Sequence, residues 1–95
     1  MDKKQAYEKK ARAELDLLQA RLDELKAKAR KAAADAEINY HQQIDELKAK
    51  RDSTQDYLAE LGRAGQDTWG ELKEGVNRAI SELKSGLDQA ASRLK

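Results

Sequence analysis

The chain has 95 residues, with 19 Lys and Arg against 18 Asp and Glu, and it contains no Pro, Cys or Phe. The lack of cysteine excludes a disulfide framework, a thiolate metal site and a cysteine nucleophile, and a net charge of +1 argues against a general polyanion binder, which needs an accumulated excess of Lys and Arg. Ala, Glu, Lys, Leu and Arg fill 56 positions while Leu, Ile, Val and Phe fill only 16, a composition that lines helix stripes but does not fill the centre of a mixed globule.

The first residues, Met1-Asp2-Lys3-Lys4-Gln5-Ala6-Tyr7-Glu8, place no apolar run behind their lysines, so no secretory signal is expected. No stretch approaches the roughly 18 uncharged apolar residues of a spanning helix. A cytoplasmic protein is the expectation. From Asp2 to Leu61 there is neither Gly nor Pro, and the strong helix formers Ala, Glu, Lys, Leu and Gln dominate. One helix over about residues 2–61 is therefore expected. Its apolar residues Ala11, Leu15, Leu18, Leu22, Leu25, Ala29, Ala32 and Ala36 alternate spacings of four and three, the pattern of a heptad seam. The seam resumes as Tyr40, Ile44, Leu47, Arg51, Thr54, Leu58 and Leu61, after one extra residue has slipped the heptad phase. Arg51 and Thr54 weaken it. The pairs Glu8 and Arg12, Glu24 and Lys28, and Glu46 and Lys50 add about 0.2 to 0.5 kcal/mol each to an isolated helix. A rival arrangement, three nearly equal helices broken near residues 34–39 where the phase slips, is opposed by the alanine-rich sequence there.

Candidate chemistry on this segment is sparse. The basic run Lys26-Ala27-Lys28-Ala29-Arg30-Lys31 is bracketed by Asp23, Glu24, Asp35 and Glu37 and carries no interleaved aromatic to stack bases, so it reads as a solvated helix face and not a nucleic-acid site. His41, the one histidine, has Glu37 and Asp45 four residues to either side, one nitrogen and two oxygens on one helical face. A metal site normally wants four ligands or a strong second shell, and no metal or other cofactor is expected. Ser53, Ser81, Ser85 and Ser92 have no base held beside them by helical periodicity, and the paired carboxylates sit on solvent faces where nothing raises a pKa. An enzyme is not expected.

Gly62-Arg63-Ala64-Gly65 is the first stop signal, with Gly62 suited to a left-handed cap; a turn over 62–67 is expected. Thr68-Trp69-Gly70-Glu71 has the form of a capping box, opening a second helix over about 68–94. Its stripe of Trp69, Leu72, Val76, Ile80, Leu83, Leu87 and Leu94, with Ala79, Ala90 and Ala91, is broader than that of the first helix. The segment repeats every 11 residues: Glu71-Leu72-Lys73-Glu74-Gly75-Val76 is answered by Glu82-Leu83-Lys84-Ser85-Gly86-Leu87. Eleven residues make three turns, so such a stripe runs almost straight. An interior glycine costs about 0.8 to 1 kcal/mol against alanine, and its recurrence at Gly75 and Gly86 points to a close approach by another backbone.

On the residues Asp67-Thr68-Trp69-Gly70-Glu71-Leu72-Lys73-Glu74-Gly75-Val76 and the tail Ala90-Ala91-Ser92-Arg93-Leu94, the chain resembles the small bacterial coiled-coil proteins that include a stress-induced cyanobacterial protein. In that family a second aromatic often stands where Ile80 stands here. The resemblance implies a helical, oligomerising, stress-associated protein without assigned chemistry. The 11- and 22-residue periods also resemble exchangeable apolipoproteins, which punctuate their repeats with proline.

The expected architecture is thus all-α, a single domain over 1–95 in which a long helix and a shorter one form a hairpin completed by self-association, as a dimer or tetramer. Its interface would be Leu15, Leu18, Leu22, Leu25, Leu47, Leu58 and Leu61. The competing role is a reversible lipid-surface or chaperone-like binder, peripheral to a membrane, that opens the stripe of residues 69–94 onto an apolar surface.

Overall fold

The computed structural model describes residues 2–31 and 34–93, and for 34–37 the backbone alone. Its described residues form three α-helices: α1 (Lys3–Arg30), α2 (Ala34–Arg63) and α3 (Trp69–Arg93). They pack as an up-down-up bundle measuring 51 × 19 × 17 Å. The expectation of an all-helical chain holds. The single helix over 2–61 does not, because the chain turns back between Arg30 and Ala34.

The reason is burial. A straight helix over 2–61 leaves the α1 stripe facing water within one chain. Folding back buries Ala11, Leu15, Leu18, Leu22, Leu25 and Ala29 against α2 and α3. Four buried leucines alone are worth roughly 6 to 12 kcal/mol at about 1.5 to 3 kcal/mol each. Interrupting the helix forfeits only a few backbone hydrogen bonds, each about 1 kcal/mol net. Tertiary burial therefore overrides the alanine-rich helical preference. The calls on Ala32 and Ala36 as seam members, and on Leu94 as the end of the stripe, lie outside the described side chains.

Local chemistry fixes the other ends. Asp2 caps α1, its Oδ1 accepting from the Gln5 amide at 2.8 Å, while its Oδ2 accepts from Gln66 Nε2 at 3.1 Å and ties the cap to the α2–α3 connection. Gly62 is not a left-handed cap: it lies in the last turn of α2, and no described glycine has a positive φ. Instead the Lys4 ammonium donates to the carbonyls of Gly62 and Ala64, at 3.0 and 2.7 Å, a cation placed on carbonyls that the end of the helix leaves unpaired. The reciprocal capping box at Thr68 also gives way to another arrangement. The Gly65 carbonyl accepts from the amides of Thr68 and Trp69 and from the Thr68 hydroxyl, and the Glu71 amide donates to the Thr68 carbonyl.

The core runs the length of the bundle. Leu22, Leu61, Leu83, Leu87 and Val76 are fully buried, with Ile44, Leu47, Leu58, Ile80 and Ala90 beside them. Thr54 is a buried polar member, satisfied by donating its hydroxyl to the Lys50 carbonyl one turn back, at 2.7 Å. Arg51 escapes the seam by turning its guanidinium to the rim, where it meets Gln19 Oε1 at 3.2 Å and the Asp52 carboxylate at 3.0 Å.

Candidate functional site: the interhelical seam and its clefts

A few polar and small-residue contacts mark the helix registers. Gln19 stands opposite Arg51 and Glu8 beside Gly62 on the antiparallel pair α1 and α2, and Tyr7 meets Asn77 while Arg21 meets Asp88 at 2.6 Å on the parallel pair α1 and α3. Gly75 opposite Tyr57 and Gly86 opposite Leu47 fix α2 against α3. A Cβ built on Gly86 falls 2.7 Å from Leu47 Cδ2 and 3.6 Å from Lys50 Nζ, whereas one on Gly75 meets the Tyr57 ring at an ordinary 3.6 Å. The two glycines thus differ. The group approaching Gly86 is a buried side chain of α2, not another backbone.

Every residue assigned from sequence to an oligomer interface sits inside this single-chain core. Leu15, Leu18, Leu22, Leu25, Leu47, Leu58 and Leu61 are all 7% exposed or less. Of the second stripe, Val76, Ile80, Leu83 and Leu87 are buried, while Trp69 and Leu72 are half-buried and pack on the edge of the core.

Among the described residues, three surface features bear on a site. The first is a cleft of about 410 Å³ between α2 and α3, floored by small residues including Ala49, Ser53 and Gly75 and flanked by Lys50, Arg78 and Glu82. The second, about 440 Å³ between α1 and α2, is bordered by Arg12, Asp16 and Gln55. The third is an aromatic end cluster that the sequence reading missed. Tyr7 lies 6.1 Å from Trp69, centroid to centroid, the Lys73 ammonium stands 5.2 Å over its ring, and its hydroxyl meets the Lys73 carbonyl and Asn77 Oδ1. The signal was present, because Tyr7 precedes Ala11 by four and extends the α1 seam by one turn. Burial pushes the Tyr7 hydroxyl above its ordinary pKa of 10.0, and the nearby Glu14 carboxylate adds to the shift.

Leu17 and Ile38 stand off the seam and are 69% and 68% exposed. His41 is exposed on α2. Among the described residues no group of three or more His, Cys, Asp or Glu is placed to hold a metal ion; the Glu37 carboxylate lies outside them. No described helix is long and apolar enough to cross a membrane. No protein-family model, no curated protein and no solved structure matches the chain.

Proposed function

We propose that this chain is a non-enzymatic interaction protein that assembles with copies of itself through the helical seam of Leu15, Leu18, Leu22, Leu25, Leu47, Leu58 and Leu61. Supporting this is the chemistry of the buried cluster: leucine, isoleucine, valine and alanine at helical spacing, with Thr54 as its polar member. Such a cluster packs against amphipathic helices, as it does within one chain, and offers no reactive group to a small substrate. The resemblance to the small bacterial coiled-coil proteins adds a bacterial, stress-associated setting to the same proposal. No nucleic-acid partner and no cofactor form part of it. Sedimentation across the micromolar range tests it: the expected mass is that of a dimer or tetramer, and a monomer mass throughout refutes assembly.

A second reading, a reversible lipid-surface or chaperone-like binder, draws on α3. That helix separates its apolar and polar faces more sharply than α1 or α2, and its stripe opens at one end, where Trp69 and Leu72 are half-exposed. Binding of anionic vesicles, with the bundle opening as it binds, is the outcome that favours this role over assembly.

A further inference from the structure

Within one chain the seam is filled, and what the closed bundle offers a second copy is the outward side of its helices. On α2 and α3 that side is mostly charged or hydroxylated, as at Asp45, Asp52, Asp56, Glu74, Ser81 and Ser85. On α1 it is different. Leu17 stands there 69% exposed, and Ala6, Ala13, Ala20 and Ala27, all exposed, follow one another at seven-residue spacing. We infer that this face docks a second copy of the same chain, with the two α1 helices antiparallel about a two-fold axis between residues 16 and 17. The inference goes beyond the assembly proposed above: it rests on self-association but adds an interface that leaves each three-helix bundle closed.

Charge selects the partner and its direction. The apolar line is flanked on the α2 side by Lys9, Asp16 and Asp23 and on the α3 side by Lys10, Leu17 and Glu24, all exposed. Asp16 borders the α1–α2 cleft, and Arg21, one turn beyond Leu17, reaches Asp88 of α3. Both flanks are therefore positive at residues 9 and 10 and negative at 23 and 24. Among the described residues Lys9, Lys10 and Glu24 form no ion pair within the chain. A parallel copy would set opposite flanks side by side at each level, Lys9 against Lys10 and Asp23 against Glu24, and these contacts repel. An antiparallel copy related by a two-fold axis sets like flanks side by side. Lys9 of one copy then meets Asp23 of the other, Lys10 meets Glu24, and both contacts attract.

The register is particular to this sequence. Lys9 and Asp23 are centred on Asp16, Lys10 and Glu24 on Leu17, and the alanine pairs Ala6 with Ala27 and Ala13 with Ala20 between the two. One axis serves all three rows. Slipping a copy by one heptad toward the end of α1 keeps alanine opposite alanine but brings Lys9 onto Arg30, Asp16 onto Asp23 and Lys10 onto Lys31, which are all like-charged. The opposite slip sets Leu17 on Lys10 and leaves Ala27 and the last turn of α1 without a partner. In the favoured register Leu17 packs on its own copy at the axis. Asp16 also meets its own copy there, with Arg12 one turn away, and at the ends the contact of Asp2 with Arg30 offsets that of Lys3 with Lys31.

The spacing itself suits a helical partner. A side that only faces water makes no demand on period, whereas a seven-residue repeat keeps a stripe on a neighbouring helix. Alanine also lets two helices approach to the short end of the roughly 8 to 10 Å range of interaxial distances.

The test reverses the charge pattern. Four chains are compared by sedimentation at low ionic strength, where exposed ion pairs are least screened: the parent, the half-reversed Lys9→Glu, Lys10→Glu and Asp23→Lys, Glu24→Lys variants, and the fully reversed chain with all four substitutions. Far-ultraviolet ellipticity checks that each remains folded. The expected result is a dimer for the parent and for the fully reversed chain, and a dimer weakened at least roughly tenfold for each half-reversed chain. The four substitutions cancel in net charge, so the parent and the fully reversed chain have no general attraction for each other. Mixed, with the parent isotope-labelled, they should sort into their own dimers by native mass spectrometry, because antiparallel pairing of one with the other sets lysine against lysine and acid against acid. Half-reversed chains that dimerise as the parent does overturn this face and leave assembly through the seam standing. A fully reversed chain that stays weakened, or that pairs freely with the parent, overturns the inferred register and with it the inference. A parent that is monomeric at every concentration overturns both the inference and the assembly on which it rests.

Discussion

The two glycines of the 11-residue repeat provide an internal control on how α3 packs against α2. Both occupy the interior of α3, so replacing either with alanine gains the same helix propensity, about 0.8 to 1 kcal/mol. At Gly75 the new methyl meets the half-exposed Tyr57 ring at 3.6 Å, an ordinary contact, and the gain is kept. At Gly86 it falls 2.7 Å from Leu47 Cδ2, about 1 Å inside the favourable carbon–carbon range of roughly 3.5 to 4.0 Å. Leu47 is 3% exposed and has little room to move aside, so an overpacking cost of about 1 to 3 kcal/mol applies. The net expectation is a gain of about 1 kcal/mol for Gly75→Ala, seen as a Tm higher by roughly 4 to 8 °C for a domain of this size. Gly86→Ala should range from neutral to about 2 kcal/mol destabilised. Urea unfolding followed by far-ultraviolet ellipticity measures both. Leu47→Val removes the obstructing Cδ2, and in that background Gly86→Ala should recover its gain, a coupling of about 1 to 3 kcal/mol. Equal stabilisation by Gly75→Ala and Gly86→Ala in the parent chain would show that Leu47 does not occupy that space.

Trp69→Ala should lower stability in plain buffer by about 2 kcal/mol, roughly half the cost of truncating a fully buried tryptophan, because Trp69 is only half-buried against Tyr7 and the core edge; chemical denaturation without vesicles checks it, and an unchanged midpoint would remove Trp69 from the packed core. The raised Tyr7 pKa means that the folded chain holds that proton to higher pH than the unfolded chain. Its contribution is therefore complete below the ordinary value of 10.0 and declines as pH rises through the shifted one. Denaturation midpoints measured on either side of pH 10 should show this alkaline decline weakened in Tyr7→Phe. Thr54→Val should raise stability by about 1 kcal/mol, since the hydroxyl it removes bonds only back to the Lys50 carbonyl and the methyl that replaces it is fully buried; a loss of stability by the same denaturation assay would assign that hydroxyl a structural role.

Composition and spacing determine a good deal here without reference to any fold. The excess of Ala, Glu, Lys, Leu and Arg dictates helix, and the three-and-four spacing from Ala11 to Ala29 selects the face that turns inward, which is the buried face of α1 residue for residue. The interruption near Gly65 and the start of α3 at Trp69 are equally legible, because glycine acts on the chain locally.

The α1–α2 break is of another kind. Residues 27–37 contain no Gly or Pro, and local propensity argues for continuity. The chain folds back there because the leucines of α1 find their partners some 20 residues or more away, in Ile44 to Leu61 of α2 and in Val76 to Leu87 of α3. The ends of α2 show the same dependence on distant residues, since Gly62 stays helical while the carbonyls around it are met by Lys4 from the start of the chain. So too with the Tyr7 and Trp69 cluster, 62 positions apart. Helix propensity is a property of neighbours along the chain and can be read from them. Where a helix without a stop signal ends is settled by which distant surface buries its apolar face, and that is a property of the tertiary structure alone.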